Sequence, residues 1–246
     1  MTDDAIPAAT LIVMRERGVG TPELLMVTRT RGMAFAGGAM VFPGGRIDAQ
    51  DQLLGAALPD GAARVAAIRE TLEESGLPVA LDPMPDPCQA LALQSALHAG
   101  SPLSGLLNRH GLGLALDQLT PFARWKPAFK QPRKFDTLFY LAEAPGGDWP
   151  LVAQAGECEA VEWLTAAAVL DRIAAGTASA IFPTVRNLER LALFSSIAEA
   201  RAHAAAHPIE TVTPWIEEED GVKWLRIPDH LGYPVTRERL NDGIRA

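Results

Sequence analysis

The chain has 246 residues, with 30 acidic side chains against 22 Lys and Arg, for a formal net charge of −8. A chain of this size can bury a sizeable core, and 48% apolar with 21% charged residues is the composition of a globular protein in water. The acidic balance excludes an electrostatic nucleic-acid binder, which needs a basic stripe to neutralise phosphates, and no apolar run reaches membrane-spanning length.

Taken in chain order, the start Met1-Thr2-Asp3-Asp4 is acidic where a secretory signal would be basic, and the end Ile244-Arg245-Ala246 is no peroxisomal address. The expected compartment is the cytoplasm. Thr10 to Met14 and Glu23 to Thr28 read as strands joined by a Gly-containing turn, a hairpin that leads to the glycine turn Phe42-Pro43-Gly44-Gly45-Arg46-Ile47-Asp48. The stretch Gln52 to Gly61 reads as a loop. A helix then carries Arg69-Glu70-Thr71-Leu72-Glu73-Glu74-Ser75, with Gly76 suited to a left-handed C′ position, Leu77 to the accompanying apolar contact, and Pro78 to block continuation.

After a Pro-rich linker over 82–87, the Ala- and Leu-rich segment from Gln89 to Leu119 predicts two or three short helices broken at Gly100 and Gly111. Strands are expected over Ala123 to Phe129, Phe135 to Ala142 and Ala160 to Leu164, and helices over Thr165 to Ala175 and Thr184 to Ala206, the latter with Val185, Leu188, Leu191 and Ile197 facing the core. Glu210 to Ile216 and Val222 to Ile227 predict a terminal hairpin with the acidic tip Glu217 to Gly221 in solvent. Cys88 and Cys158 are too few and too far apart for a zinc cluster or disulfide framework and are expected to be inert. His98, His110, His203, His207 and His230 show no metal-ligand spacing except the i,i+4 pair His203 and His207, read as a surface helix terminus ended by Pro208.

The segment that carries chemistry is the Glu-rich helix. At helical pitch Glu70, Glu73 and Glu74 share one face within an arc of about 100°, with Val65, Ile68 and Leu72 on the opposite face. Such a helix can dock its apolar side on a core and hold three hard oxygen ligands toward a cleft, as Mg2+ or Mn2+ requires. Crowded carboxylates repel one another, and Arg69 can compensate through an i,i+4 pair with Glu73. Gly44 and Gly45 leave room for a backbone carbonyl to approach a metal or phosphate where a Cβ would obstruct it. Taken singly, the Glu run would pass for an ordinary solvated helix face; together with the glycine turn it reads as a metal site for pyrophosphate chemistry.

These residues resemble the Nudix hydrolases, whose signature is G-x5-E-x7-R-E-U-x-E-E-x-G-U with U an aliphatic residue. The second half matches apart from Thr71 at an aliphatic position, Gly45 takes the signature glycine, and Asp51 stands where the family usually has Glu. The segment from Asp51 to Arg69 exceeds the usual spacing, so an insertion interrupts the signature; a rival register through Gly55 keeps every spacing but puts Gly61 at the acidic position. The run Phe35 to Asp51, together with Pro121 to Trp125, Arg133 to Tyr140 and the helical segment after Trp163, is similar to the branch containing the mammalian peroxisomal coenzyme A diphosphatases.

The resemblance implies an α+β protein, the Nudix α/β/α sandwich with a mixed sheet, as one domain over 1–246 with a helical insertion at about 83–119 and a carboxy-terminal extension at about 207–246. It implies metal-dependent hydrolysis of the pyrophosphate bond of a nucleoside diphosphate derivative, with coenzyme A or acyl-coenzyme A foremost, ADP-ribose or a dinucleotide as the alternative, and a non-catalytic nucleotide-sensing module as a second alternative. Catalysis would rest on Arg69, Glu70, Glu73 and Glu74, with Mg2+ or Mn2+ on those three glutamates and the Gly44 carbonyl. Substrate would meet Gly44, Gly45 and Arg29; a second Arg of the coenzyme A pattern would fall at Ala34, and Arg31 is near enough to substitute. Glu157 and Glu159 are candidates for a general base, or else exposed residues ahead of a strand. The resemblance is compatible with a homodimer, and involves no nucleic acid or membrane.

Overall fold

The structure, a computed structural model, describes residues 5–18, 20–33, 36–127 and 134–240. Ala34 and Phe35, the end of the strand expected to reach Phe129, Arg133, and the two terminal segments read above as non-targeting lie outside the described residues. Chain order runs β1 (Ile6–Arg15), β2 (Glu23–Arg29), β3 (Met40–Val41), β4 (Gly44–Arg46), α1 (Ala49–Leu54), α2 (Gly61–Ser75), β5 (Leu81–Asp82), α3 (Pro87–His98), α4 (Leu103–His110) and β6 (Gly113–Leu114). It continues through β7 (Thr120–Trp125), β8 (Phe135–Glu143), β9 (Cys158–Thr165), α5 (Ala166–Ala174), α6 (Phe182–Leu191), α7 (Ile197–Ala205), β10 (Thr211–Val212), β11 (Trp215–Glu219), β12 (Val222–Arg226) and β13 (Arg237–Arg239).

A mixed sheet in the order β10-β7-β8-β1-β2-β3, with β4 on β1 and β9 on β2, forms the middle layer. Side chains alternate across it, as the period of two requires. Leu11 and Val13 of β1 and Tyr140 of β8 enter a core with α2, α3 and α4; Ile12, Met14, Phe139 and Leu141 point the other way, into a core with α5, α6 and α7. This is the expected α/β/α sandwich. Strand β1 runs parallel to β8 from Ile6 opposite Phe135 to Met14 opposite Glu143. Its other edge is divided, with β2 antiparallel at Met14 and Arg15, and β4 antiparallel at Ala8 to Thr10. That division leaves the glycine turn against the middle of the sheet, directly under α2.

Between Gln89 and Leu119 the chain forms helices α3 and α4, within the two or three expected. Asp86 accepts the Gln89 N–H at 2.8 Å to start α3, Gly100 and Gly111 break the helices at φ of 83° and 65°, and the short β5–β6 ladder pinches the base of the excursion.

Three expectations are corrected. Gln52 to Gly61 is not all loop, because Asp48 donates its N–H to Asp51 Oδ2 at 2.8 Å and opens α1, leaving only residues 55–60 to turn into α2. Thr184 to Ala206 is two helices, α6 and α7; Phe194 turns into the core and the Ser196 side chain caps a new start by accepting the Glu199 N–H at 3.1 Å. Glu210 to Ile216 is also divided. Pro214 cannot donate to a ladder, so Thr211–Val212 joins the large sheet beside β7 while Trp215 begins a separate three-stranded sheet. The tip of that hairpin is Asp220–Gly221, both at positive φ, and Glu217 to Glu219 lie within β11.

Candidate active site

Helix α2 docks as the pattern demands: Val65, Ile68 and Leu72 are buried, and Gly76 ends the helix at φ 76° with its N–H on Leu72 O. Arg69 is the centre of the polar face and is itself only 3% exposed. Its Nε and Nη2 donate to Asp51 Oδ1 and Oδ2 at 3.0 and 2.9 Å, and Nη2 also donates to the Arg46 carbonyl. Nη1 reaches Glu70 Oε1 at 2.9 Å and Glu73 Oε2 at 3.1 Å, the expected i,i+4 pair. Burial disfavours the guanidinium charge, but the Asp51 hydrogen bonds and the Glu70 and Glu73 carboxylates outweigh it and hold Arg69 above its ordinary range.

Arg69 and the more distant Arg29 compensate these acids only in part. Burial, reinforced by Glu73 and opposed by Arg69, pushes Glu70 up to about 7. Burial together with Glu70 pushes Glu74 up to about 8 against the pull of the Gly44 N–H and Arg29, and Glu73 is raised by burial against Arg69. Glu74 is 2% exposed.

The glycine turn approaches this cluster as closely as backbone can. Gly44 donates its N–H to Glu74 Oε2 at 3.1 Å, and its place opposite Thr10 on β1 would set a Cβ 2.5 Å from Ala9 O. A Cβ on Gly45 would stand 2.5 Å from the Glu70 carboxylate. The Gly44 requirement thus comes from packing on β1, and the Gly45 requirement from Glu70 itself. The rival glycine, Gly55, packs against Gly61 in the α1–α2 turn.

Arg29 ends β2 opposite Cys158, the first residue of β9, and its Nη1 lies 3.9 Å from Glu74 Oε1. Its Nε is buried without a partner among the described residues. Arg31 is exposed, and its backbone N–H donates to Glu159 Oε1 at 3.1 Å. Of the two base candidates, Glu159 is therefore engaged in holding the Arg31 loop, whereas the charge of Glu157 is felt at both Glu74 and Cys158. Burial and Glu74 push the Cys158 thiol up to about 12, so it stays protonated and unreactive. Cys88 is exposed and free. His203 and His207 stack at 4.2 Å, and His203 takes the Arg190 guanidinium on Nδ1; the pair is structural, at a half-buried helix end.

Among the described residues no three Asp, Glu, His or Cys side chains converge to hold a metal ion, since Arg69 draws Glu70 and Glu73 toward itself and Gly44 fixes Glu74. The donor chemistry nevertheless suits a hard divalent cation. All donors are oxygens, two of the carboxylates are driven toward the neutral form by burial and mutual repulsion, and a cation between them would relieve both. Sequence reasoning missed the groups that hold the far end of this face. Gln94 and His98 of α3 both donate to the Glu73 carbonyl; the one signal that could have found them is their i,i+4 spacing on a single helix face.

Among solved structures, a Nudix hydrolase from Alicyclobacillus acidocaldarius is 30% identical over 82% of this chain and 97% of its own, with a TM-score of 0.71. This chain belongs to the Nudix hydrolases. As a Nudix hydrolase it acts on pyrophosphate bonds in nucleoside diphosphate derivatives, in a family that uses divalent metal ions. More distant likenesses include the Nudix domain of Shewanella oneidensis NrtR in complex with ADP ribose, 13% identical over 76% of this chain and 86% of that one with a TM-score of 0.46. RenU, a Nudix hydrolase from M. smegmatis, is 16% identical over 83% and 89% with a TM-score of 0.43. No protein-family model and no curated protein matches the chain. Among the described residues no helix is long and apolar enough to cross a membrane.

Proposed function

We propose that this Nudix hydrolase cleaves the pyrophosphate of coenzyme A or an acyl-coenzyme A, with Mg2+ or Mn2+ held by Glu70, Glu73, Glu74 and the Gly44 carbonyl. The observation that carries the metal-site reading is the mutually repelling pair of a buried Glu74 and a half-buried Glu70 against the Gly44–Gly45 backbone. The bound cation supplies neutralisation of charge on the phosphates and a water acidic enough to attack at neutral pH. The residues of the chain do the rest. Arg69, locked by Asp51, orients Glu70 and Glu73. Arg29, beside Glu74 with a donor to spare, contacts a substrate phosphate, and Arg31 reaches a second one from its exposed loop. Glu157 accepts the proton of the attacking water.

Support for coenzyme A comes from the coenzyme A diphosphatase pattern upstream of the turn, in which Arg29, Gly38 and Phe42-Pro43-Gly44-Gly45 are in place. The test is incubation with Mg2+ or Mn2+ and a panel of coenzyme A, acyl-coenzyme A, ADP-ribose, NADH and dinucleoside polyphosphates, with products identified by mass. Release of phosphopantetheine with 3′,5′-ADP is the expected result. Faster cleavage of ADP-ribose or a dinucleotide transfers the assignment to that substrate, and binding without turnover of any compound transfers it to a sensing module.

A further inference from the structure

The three ligand candidates occupy the last two turns of α2, the end where the helix dipole is negative and the final carbonyls have no partners within the helix. Placing three carboxylates there is electrostatically adverse, so the free carbonyls need strong donors from elsewhere. They receive them from two distant segments. Gln94, 3% exposed, donates one amide hydrogen to Glu73 O at 3.0 Å and the other to Val152 O at 2.7 Å. His98, one turn further along α3, brings its Nε2 within 2.7 Å of the same Glu73 carbonyl, and because a carbonyl can only accept, that nitrogen carries the proton.

The segment that Gln94 reaches on its second side closes the remaining carbonyls. Val152 donates its N–H to Ser75 O at 2.9 Å and Gln154 donates to Glu74 O at 3.3 Å. The same segment then turns on Gln154 O, which accepts the N–H groups of Glu157 and Cys158, so the exposed Glu157 follows directly on the residues bonded to the end of α2. One buried carboxamide thus spans the gap between the ligand-bearing helix end and the segment bearing the proposed base.

We infer that Gln94 and His98 are positioning residues of the hydrolase: acting through the Glu73 carbonyl and, for Gln94, through Val152, the helical insertion fixes the ligand turn of α2 relative to the segment carrying Glu157. The inference rests on the metal-site reading above and gives the insertion a part in catalysis beyond packing.

Gln94→Met keeps the volume and removes both donors; His98→Ala removes an exposed donor, and His98→Lys retains one. Mn2+ binding followed by electron paramagnetic resonance reports on the site without turnover. The expected result is a loss of about tenfold in Mn2+ affinity and in kcat for Gln94→Met, with KM for the nucleotide held within about twofold, since groups that orient ligands carry effects of this size. His98→Ala should show a smaller loss in both, of about threefold, and His98→Lys should restore it. Amide exchange at Val152 and Gln154 should speed up in Gln94→Met. Mn2+ affinity and kcat unchanged in Gln94→Met and His98→Ala, with only a lower melting temperature, overturns the positioning role and leaves a packing role. Should Gln94→Met fail to fold, the His98 pair decides by the same criteria. A wild-type protein that binds no Mn2+ and hydrolyses nothing overturns the metal-site reading, and the positioning role falls with it.

Discussion

Arg69 and Asp51 show how much one buried pair can organise. Both Asp51 oxygens are engaged with the Arg69 guanidinium, and Oδ2 also takes the Asp48 N–H, so Asp51 joins the start of α1 to the polar face of α2. Replacing it with Asn would face an amide donor toward a guanidinium that has only donors and would break the two-pronged buried pair, although Glu70 and Glu73 still balance the Arg69 charge. Asp51→Asn should therefore destabilise the fold by about 3 kcal/mol, read from urea unfolding followed by circular dichroism, and lower turnover by releasing Glu70 and Glu73. Glu74→Gln is the complementary case. The amide oxygen can still accept the Gly44 N–H, and one of several crowded charges is removed, so the far-ultraviolet spectrum should be unchanged. Metal-dependent turnover should fall by about a hundredfold or more, and unchanged turnover would remove Glu74 from the site.

At the scale of elements, the junction of α6, α7 and the carboxy-terminal segment depends on a neutral imidazole. Arg190 is 2% exposed; it donates to Phe122 O and His203 Nδ1 and lies over the rings of Phe122 and Tyr233. Nδ1 can accept from Arg190 only while it is unprotonated. Burial, then the Arg190 charge, then His207 push His203 down to about 4. The folded pKa is thus below the ordinary value near 6.5, so the unfolded chain binds the proton more readily between those values. Stability from this contact is fully present above about pH 6.5 and is lost as pH falls toward about 4. His203→Gln, which keeps an acceptor but cannot titrate, should flatten the fall in melting temperature across that window. An equally steep fall in the variant would place the acid sensitivity elsewhere.

Two cores lie on the faces of the large sheet, with the candidate site on the α2 side and the carboxy-terminal residues Ile227, Leu231 and Tyr233 packed into the other. Tyr233 anchors that packing. Its hydroxyl accepts the Trp125 Nε1–H at 2.9 Å and donates to Asn187 Oδ1 at 3.1 Å, and its ring meets Trp125 edge to face at 5.5 Å. Tyr233→Phe keeps the ring and leaves a buried indole N–H and a buried carboxamide oxygen unpaired. A loss of about 2 kcal/mol is expected in denaturant unfolding, and a loss near zero would show that the extension contributes little to the sheet it covers.

Much of the site was legible in the sequence because its determinants are local. Helical pitch puts Glu70, Glu73 and Glu74 together, the Gly76-Leu77-Pro78 stop needs no partner from elsewhere, and the glycines of the turn announce a close approach whatever it is close to. The strands β1, β2 and β8 were legible as apolar runs, but with both faces buried the sequence did not tell which side chains meet which core. What the tertiary structure decided is what local rules cannot carry. The divided helix α6–α7 and the divided strand at Pro214 follow from where Phe194 and Val212 find burial. The true neighbour of Gly45 is Glu70, and the partners that finish α2, Gln94, His98, Val152 and Gln154, come from segments tens of residues away. Local sequence determined the chemistry available to this protein. Only the packing of the insertion and the later segment against α2 determined how those carboxylates are held, because a helix end takes its last hydrogen bonds from whatever the fold brings beside it.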